Sequence, residues 1–134
     1  MSKLQEKKMK KAIHSAKAPG AVGPYSQAIL TGNLVFTSGQ IAIDPAAGKL
    51  IEGGIREQTR QVMANLSAVL EEAGTDLTMA VKATVYLSDI NKFAEFNQIY
   101  SEYFPSDPPA RSAFQVAALP LDAMVEIELI ATVP

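Results

Sequence analysis

The run Asp107-Pro108-Pro109-Ala110-Arg111-Ser112-Ala113-Phe114-Gln115-Val116-Ala117 changes character at its midpoint. Two successive prolines fix φ, remove two backbone donors and push the residue before them out of the helical region, so the first four residues cannot be helical. From Arg111 onward the run reads as a half-buried strand. Just upstream, Phe93, Phe96, Tyr100, Tyr103 and Phe104 recur at helical spacing, in a stripe that starts near Asp89 or Asn91 and is stopped by Pro105. Such a stripe reads as core and not as a cofactor box. Downstream, Ala118-Leu119-Pro120-Leu121-Asp122 leads to a last strand, Ala123 to Thr132.

Working outward, Ala80 to Leu87 alternates, with Val81, Ala83, Val85 and Leu87 against Lys82, Thr84 and Tyr86, the period of a strand. Between Gly54 and Ala73, Ile55, Val62, Leu66, Val69, Leu70 and Ala73 recur at three- and four-residue intervals, and Gly74 supplies a left-handed stop. Ala28 to Leu30 and Leu34 to Gln40 flank a hairpin-like turn, Thr31-Gly32-Asn33, and Asp44-Pro45 through Gly48 form another. Lys10 to His14 suit a short first strand, followed by a loop marked by Pro19-Gly20 and Gly23-Pro24. The order is several strands, helix, strand, helix, two strands. Two helices cover only one face of such a sheet, yet Val35, Phe36, Val85, Phe114, Val116, Val125, Ile127 and Leu129 supply apolar groups to both. The other face is therefore expected to bury itself against further copies of the chain.

At 134 residues, 48% of them apolar, the chain is long enough for one domain with its own core. It has no cysteine, which excludes a disulfide framework, a thiol nucleophile and a Cys-ligated zinc. No stretch approaches the ~20 apolar residues that span a bilayer, and the Lys-rich start is not followed by an apolar signal core, so a cytoplasmic protein with no membrane partner is expected. Charge is uneven. The first eleven residues carry five lysines against Glu6, leaving seven of the twelve basic and thirteen of the fourteen acidic residues in the body. An acidic body is the opposite of a nucleic-acid footprint, and the Lys-rich start reads better as a solvated terminus than as a nucleic-acid arm.

Which residues carry chemistry? Arg111 keeps its charge at any relevant pH and needs compensation at the mouth of a strand, and its planar fork fits a carboxylate with two parallel hydrogen bonds. Two readings are open: an ion pair with a neighbouring Glu, or a ligand clamp. Val125-Glu126-Ile127-Glu128-Leu129 puts two carboxylates on one face, either as solvated acids or with one acting as general base. A plain hairpin pairing Ala117 with Ala123 would set Arg111 opposite Leu129, on the other face from Glu126, so the pair can share a site only through a shifted register, a bulge or contact between subunits. His14, the sole histidine, has no acid-bearing motif beside it and reads as a packed or surface group. No phosphate loop and no cluster at metal-ligand spacing occurs. Cofactor-free, metal-free chemistry on a small anion remains.

Five motifs in series, Gly23-Pro24-Tyr25-Ser26-Gln27-Ala28, Thr37-Ser38-Gly39-Gln40-Ile41, Asn91 through Tyr103, Pro109-Ala110-Arg111-Ser112 and Val125-Glu126-Ile127-Glu128-Leu129, resemble the Rid/YjgF family of reactive-intermediate deaminases. The resemblance implies an α+β fold of the chorismate-mutase-like kind: one domain over residues 9–134, a mixed sheet with two helices on one face, and a homotrimeric barrel with clefts between subunits. Residues 1–8 would be a flexible Lys-rich extension. The implied activity is hydrolysis of 2-imino acids, such as 2-iminobutanoate and 2-iminopropanoate, to 2-oxo acids and ammonia, which protects enzymes that use pyridoxal phosphate.

Carried onto this chain, the resemblance makes Arg111 the clamp on the substrate carboxylate, Glu126 the group that positions or activates water, and Tyr25 the residue that closes the pocket. The backbone at Gly39 and Ala113 would offer N–H groups to the ligand, with Ser38 and Asn97 as further binding candidates. Many relatives carry Cys where this chain has Ala113; a backbone contact suits Ala equally, and a thiol role is excluded. Some relatives are described as ribonucleases that inhibit translation, and others lack the Arg and bind small metabolites or proteins without catalysis. Arg111, Glu126 and Tyr25 together favour the enzyme.

Overall fold

The structure, a computed structural model, describes residues 9–134; the expected extension over 1–8 lies outside the described residues. Its longest strands include β6 (Ala80–Leu87), whose Ala83, Val85 and Leu87 are fully buried. On one side β6 pairs antiparallel with β8 (Val125–Thr132) and on the other parallel with β7 (Ala110–Gln115). β1 (Lys11–Ile13), β2 (Ala28–Thr31) and β3 (Leu34–Thr37) complete a six-stranded mixed sheet in the order β1-β2-β3-β8-β6-β7. Between β2 and β3 only two residues turn the chain, and Gly32 (φ +58) supplies the left-handed conformation that turn needs. A separate ribbon pairs β4 (Ile43–Asp44) with β5 (Lys49–Leu50).

Both helices lie on one face, as expected. α1 (Ile55–Glu72) buries Ile55, Val62, Met63, Leu66, Val69 and Leu70 against Val85, Ile127 and Leu129 of the sheet, each side chain stabilising the fold by roughly 1.5–3 kcal/mol relative to exposure. It ends where expected: Gly74 (φ +90) lets its own N–H reach the Glu71 carbonyl and that of Thr75 reach Leu70, satisfying the orphan carbonyls of the last turn. α2 (Phe93–Tyr103) follows a short turn capped by Asp89, whose carboxylate accepts from the Asn91 N–H. Phe96, Tyr100 and Phe104 are buried beneath it. The stripe is core, as its spacing indicated.

Two sequence expectations are corrected, and the hairpin that Pro120 argued against is not formed. β7 and β8 do not form a hairpin: β6 lies between them, because α2 returns the chain to the outer side of β6 in a parallel crossover and Pro120 opens the following connection into a short turn. The strand from Leu34 stops at Thr37, where the Thr37 hydroxyl, not a carbonyl, accepts the Leu129 N–H, and Gln40 then rejoins β8 opposite Ile127. Val81, read as one of the inward row, is 45% exposed, since the ladder slips between Ala80 and Lys82 and turns it outward.

The opposite face of the sheet carries Phe36 and Phe114, both more than 40% exposed, with Tyr86, Glu126, Glu128 and Ile130 between them. It is the two-sided apolar character read from the sequence, in place. No helix among the described residues is long and apolar enough to cross a membrane.

Candidate functional site

Pairing across the sheet fixes which way each candidate points. Arg111 sits beside Ala83, and Ala83 beside Leu129, so Arg111 belongs to the row that faces the helices. Glu126 sits beside Tyr86, and Tyr86 beside Phe114, the row on the opposite face. Ala113, two residues from Arg111 and paired with buried Val85, shares the Arg111 side. β7 is the edge strand, so Arg111 and Ala113 stand at the rim of the sheet.

Among the described residues the Arg111 guanidinium is held without a counter-ion. One of its terminal nitrogens donates to Asn97 Oδ1 at 2.8 Å, and its Cζ lies 4.9 Å from the ring centre of Tyr100, 5.3 Å from Phe93 and 6.0 Å from Phe96. The ion pairs among the described residues are Arg56–Glu95 and Arg60–Glu102, both between exposed partners of the two helices. The alternative in which Arg111 pairs with a neighbouring Glu is therefore set aside. Each cation–π contact stabilises by about 0.5–2 kcal/mol and leaves the positive charge uncancelled. A cavity of about 340 Å³, lined by Asn97, Tyr100, Ser101, Phe104, Pro109 and Arg111, opens beside it.

The acidic half lies elsewhere. Tyr25, Ser38, Gly39 and Glu126 line a cavity of about 590 Å³ together with Val22, Ile41, Ile43 and Leu121. Gly39 is there for space: a Cβ on it would come within 2.8 Å of Glu126 Cδ and 3.0 Å of Cγ, so any side chain would displace the carboxylate. Ser38 donates its hydroxyl to the Ser26 carbonyl at 2.6 Å, a pin that holds the loop of Tyr25 against β3. Tyr25 is half exposed, and its Oη accepts from the Val22 N–H at 3.4 Å, which leaves the phenolic proton free to donate. Burial, followed by the charge of Glu128, pushes the Glu126 carboxyl above the ordinary carboxylate range. Glu128 in turn accepts from the Tyr86 hydroxyl, which holds Tyr86 protonated, its pKa pushed up to about 12.

Seven candidates thus form two groups. The structure brings Arg111, Asn97 and Ala113 to one face and edge, and Tyr25, Ser38, Gly39 and Glu126 to the other face; within one chain the groups do not meet. A shifted register or a bulge joining Arg111 to Glu126 is ruled out, because an entire strand separates β7 from β8. Sequence reading missed the aromatic cradle of Arg111, although Phe93, Asn97 and Tyr100 at i, i+4 and i+7 were visible as one helical face. It also missed Leu121, whose left-handed backbone (φ +56) carries an exposed apolar side chain to the rim of the larger cavity.

Residues 15–133 match the family described as Endoribonuclease L-PSP, and the chain belongs to this family, the Rid/YjgF group that its motifs resemble. It is 51% identical over 123 residues to the 2-iminobutanoate/2-iminopropanoate deaminase of Bos taurus, covering 92% of this chain and 90% of that protein. A RutC family protein of Pyrococcus abyssi is 52% identical over 122 residues, covering 91% of this chain and 96% of the relative. Among solved structures, Escherichia coli TdcF with bound serine superposes with a TM-score of 0.88 at 39% identity, over 92% of this chain and 99% of that one. The α+β fold and mixed sheet are those of the family.

Proposed function

We propose that this protein hydrolyses reactive 2-imino acids to 2-oxo acids and ammonia, in clefts formed where the Arg111 edge of one subunit meets the Glu126 cavity of the next. The observation that carries this reading is the split itself: an uncancelled guanidinium at a sheet edge and a pocketed carboxylate with a raised pKa on the other face are two complementary halves. Relatives about 50% identical that bear the name 2-iminobutanoate/2-iminopropanoate deaminase support the reaction. The exposed Phe36 and Phe114 support self-association, and we assign the assembly as a homotrimer whose open faces form a barrel. Residues 9–134 are the catalytic unit, 1–8 an extension, and the cytoplasm the setting.

In this cleft Arg111 grips the substrate carboxylate with its fork, and Asn97 holds the guanidinium flat. The backbone at Gly39 and Ala113 offers N–H groups, Ser38 fixes the loop, and Tyr25 closes the pocket. A water beside Glu126 adds its oxygen to C2 of the imine while its proton passes to the carboxylate, and the imine nitrogen takes up the proton as the C=N bond becomes a C–N bond. The resulting carbinolamine loses ammonia as its hydroxyl becomes the 2-oxo group. Water is consumed, ammonia leaves, and Glu126 ends as it began. An imine is already labile in water, so about 2–4 kcal/mol of orientation and general-base help yields a useful acceleration. The test is ammonia or oxo-acid release beside a threonine dehydratase, expected to be faster with this protein present; no acceleration at micromolar concentration would overturn the enzyme reading and favour a non-catalytic 2-oxo acid binder.

A further inference from the structure

Arg111 presents an unusual problem of placement. A guanidinium beside a buried aromatic cluster would ordinarily be oriented by a carboxylate, but a carboxylate would also cancel the charge that a ligand needs. Here the side chain is held, among the described residues, by neutral groups alone: an amide oxygen at 2.8 Å and three rings within 6.0 Å. All four come from one helix. Phe93, Asn97 and Tyr100 follow each other at i, i+4 and i+7 on the face of α2 above the edge of the sheet, and Phe96 fills in behind.

We propose that Tyr100 is a positioning residue for Arg111: its ring, with those of Phe93 and Phe96, forms a neutral platform that orients the guanidinium fork toward an incoming carboxylate and leaves its charge uncancelled. This rests on the reading of Arg111 as the carboxylate clamp. Of the three rings Tyr100 is nearest, at 4.9 Å, and at 5% exposure it is buried, so its geometry is tightly constrained. Its hydroxyl makes no well-formed hydrogen bond among the described residues. The charged group that acts on it is the Arg111 guanidinium itself, whose charge and weak hydrogen bonding oppose the effect of burial on the phenol, so the well-defined contact is the one made by the ring. Burial pushes the phenol's pKa up and outweighs the opposing pull of Arg111, so the ring stays neutral and never becomes a counter-ion for the guanidinium.

The full chain is tested with 2-oxobutanoate as the binding probe, in a series that changes the ring's electrons and not its shape: Tyr100→Phe, then Tyr100→trifluorophenylalanine. Because a cation is attracted by the ring's negative face, Tyr100→Phe is expected to bind within about two-fold of the parent, and the fluorinated ring roughly ten-fold more weakly. KM for the imine should rise by the same factor while kcat moves less. Melting temperature should change little in Tyr100→Phe, since the hydroxyl removed makes no well-formed hydrogen bond among the described residues. Phe93→Leu, at the half-buried edge of the platform, should give a smaller loss in the same direction. Equal binding across the fluorination series, with Arg111→Ala abolishing binding, would overturn the platform and leave the clamp standing. Parent-like binding by Arg111→Ala would remove the clamp itself, and the platform with it.

Discussion

Arg111 and Glu126 stand on opposite faces of one sheet, separated by strand β6: Arg111 pairs with Ala83 on the helix-facing row, Glu126 with Tyr86 on the open row. No rotamer change in a single chain brings the guanidinium to the carboxylate. A site that uses both must be completed by another copy.

The oligomer is therefore the first expectation. Sedimentation should give three times the mass of the 14.3 kDa chain, and Phe114→Glu on the open face should yield smaller, folded, inactive species. A stable parent monomer at micromolar concentration would refute the assembly.

The two charged residues should separate kinetically. Arg111→Lys keeps a charge but loses the fork, so 2-oxo acid binding and imine turnover should both fall steeply, by roughly ten-fold or more. Glu126→Gln should leave 2-oxo acid binding nearly intact and lower kcat. Titration calorimetry beside steady-state kinetics checks the split; equal losses in binding for both variants would mean that Glu126 contacts the ligand directly.

Gly39→Ala adds one methyl where Glu126 packs. The chain should still fold with little loss of stability, since the atoms displaced are the far end of a side chain that borders a cavity, while turnover drops because the carboxylate is moved from its water. Parent-like kcat in a variant whose fold is intact by circular dichroism would show that Glu126 need not lie against Gly39.

Glu126 also sets a pH dependence. Its folded carboxyl titrates above the ordinary value, so the folded state holds this proton more tightly than the unfolded chain. That contribution is fully present below the unfolded carboxylate pKa and is lost as pH rises through the raised folded one. Glu126→Gln should therefore melt higher relative to the parent at neutral pH, with the difference shrinking on acidification. Activity of the parent should rise with pH through the same window, since water activation needs the ionised form.

With an acidic body, any cleavage of RNA should be weak, salt-sensitive and lost when residues 1–8 are removed. Persistent cleavage by the truncated chain, abolished by Arg111→Ala, would mean that the substrate class is wrong.

What the sequence determined by itself was local. The three- and four-residue spacing of α1 with its Gly74 stop, the aromatic stripe of α2, the alternation of β6 and β8 and the turn around Gly32 are consequences of backbone period and of which residues tolerate a left-handed φ. The candidate residues were legible too, because their motifs are short and contiguous. Tertiary structure decided how these pieces face each other. The intercalation of β6 between β7 and β8 follows from where α2 lays the chain down, a long-range packing choice that no window of sequence contains. It left Arg111 and Glu126 on opposite faces, as the bare alternation had placed them, and set a whole strand between them. The outward turn of Val81 came from a one-residue slip against β8, invisible in an otherwise regular alternation. The cradle of Arg111 joins residues eleven to eighteen positions apart, which meet only because a helix and an edge strand pack together. A strand's period fixes which side chains share a face; only the order of strands in the sheet fixes what those faces meet.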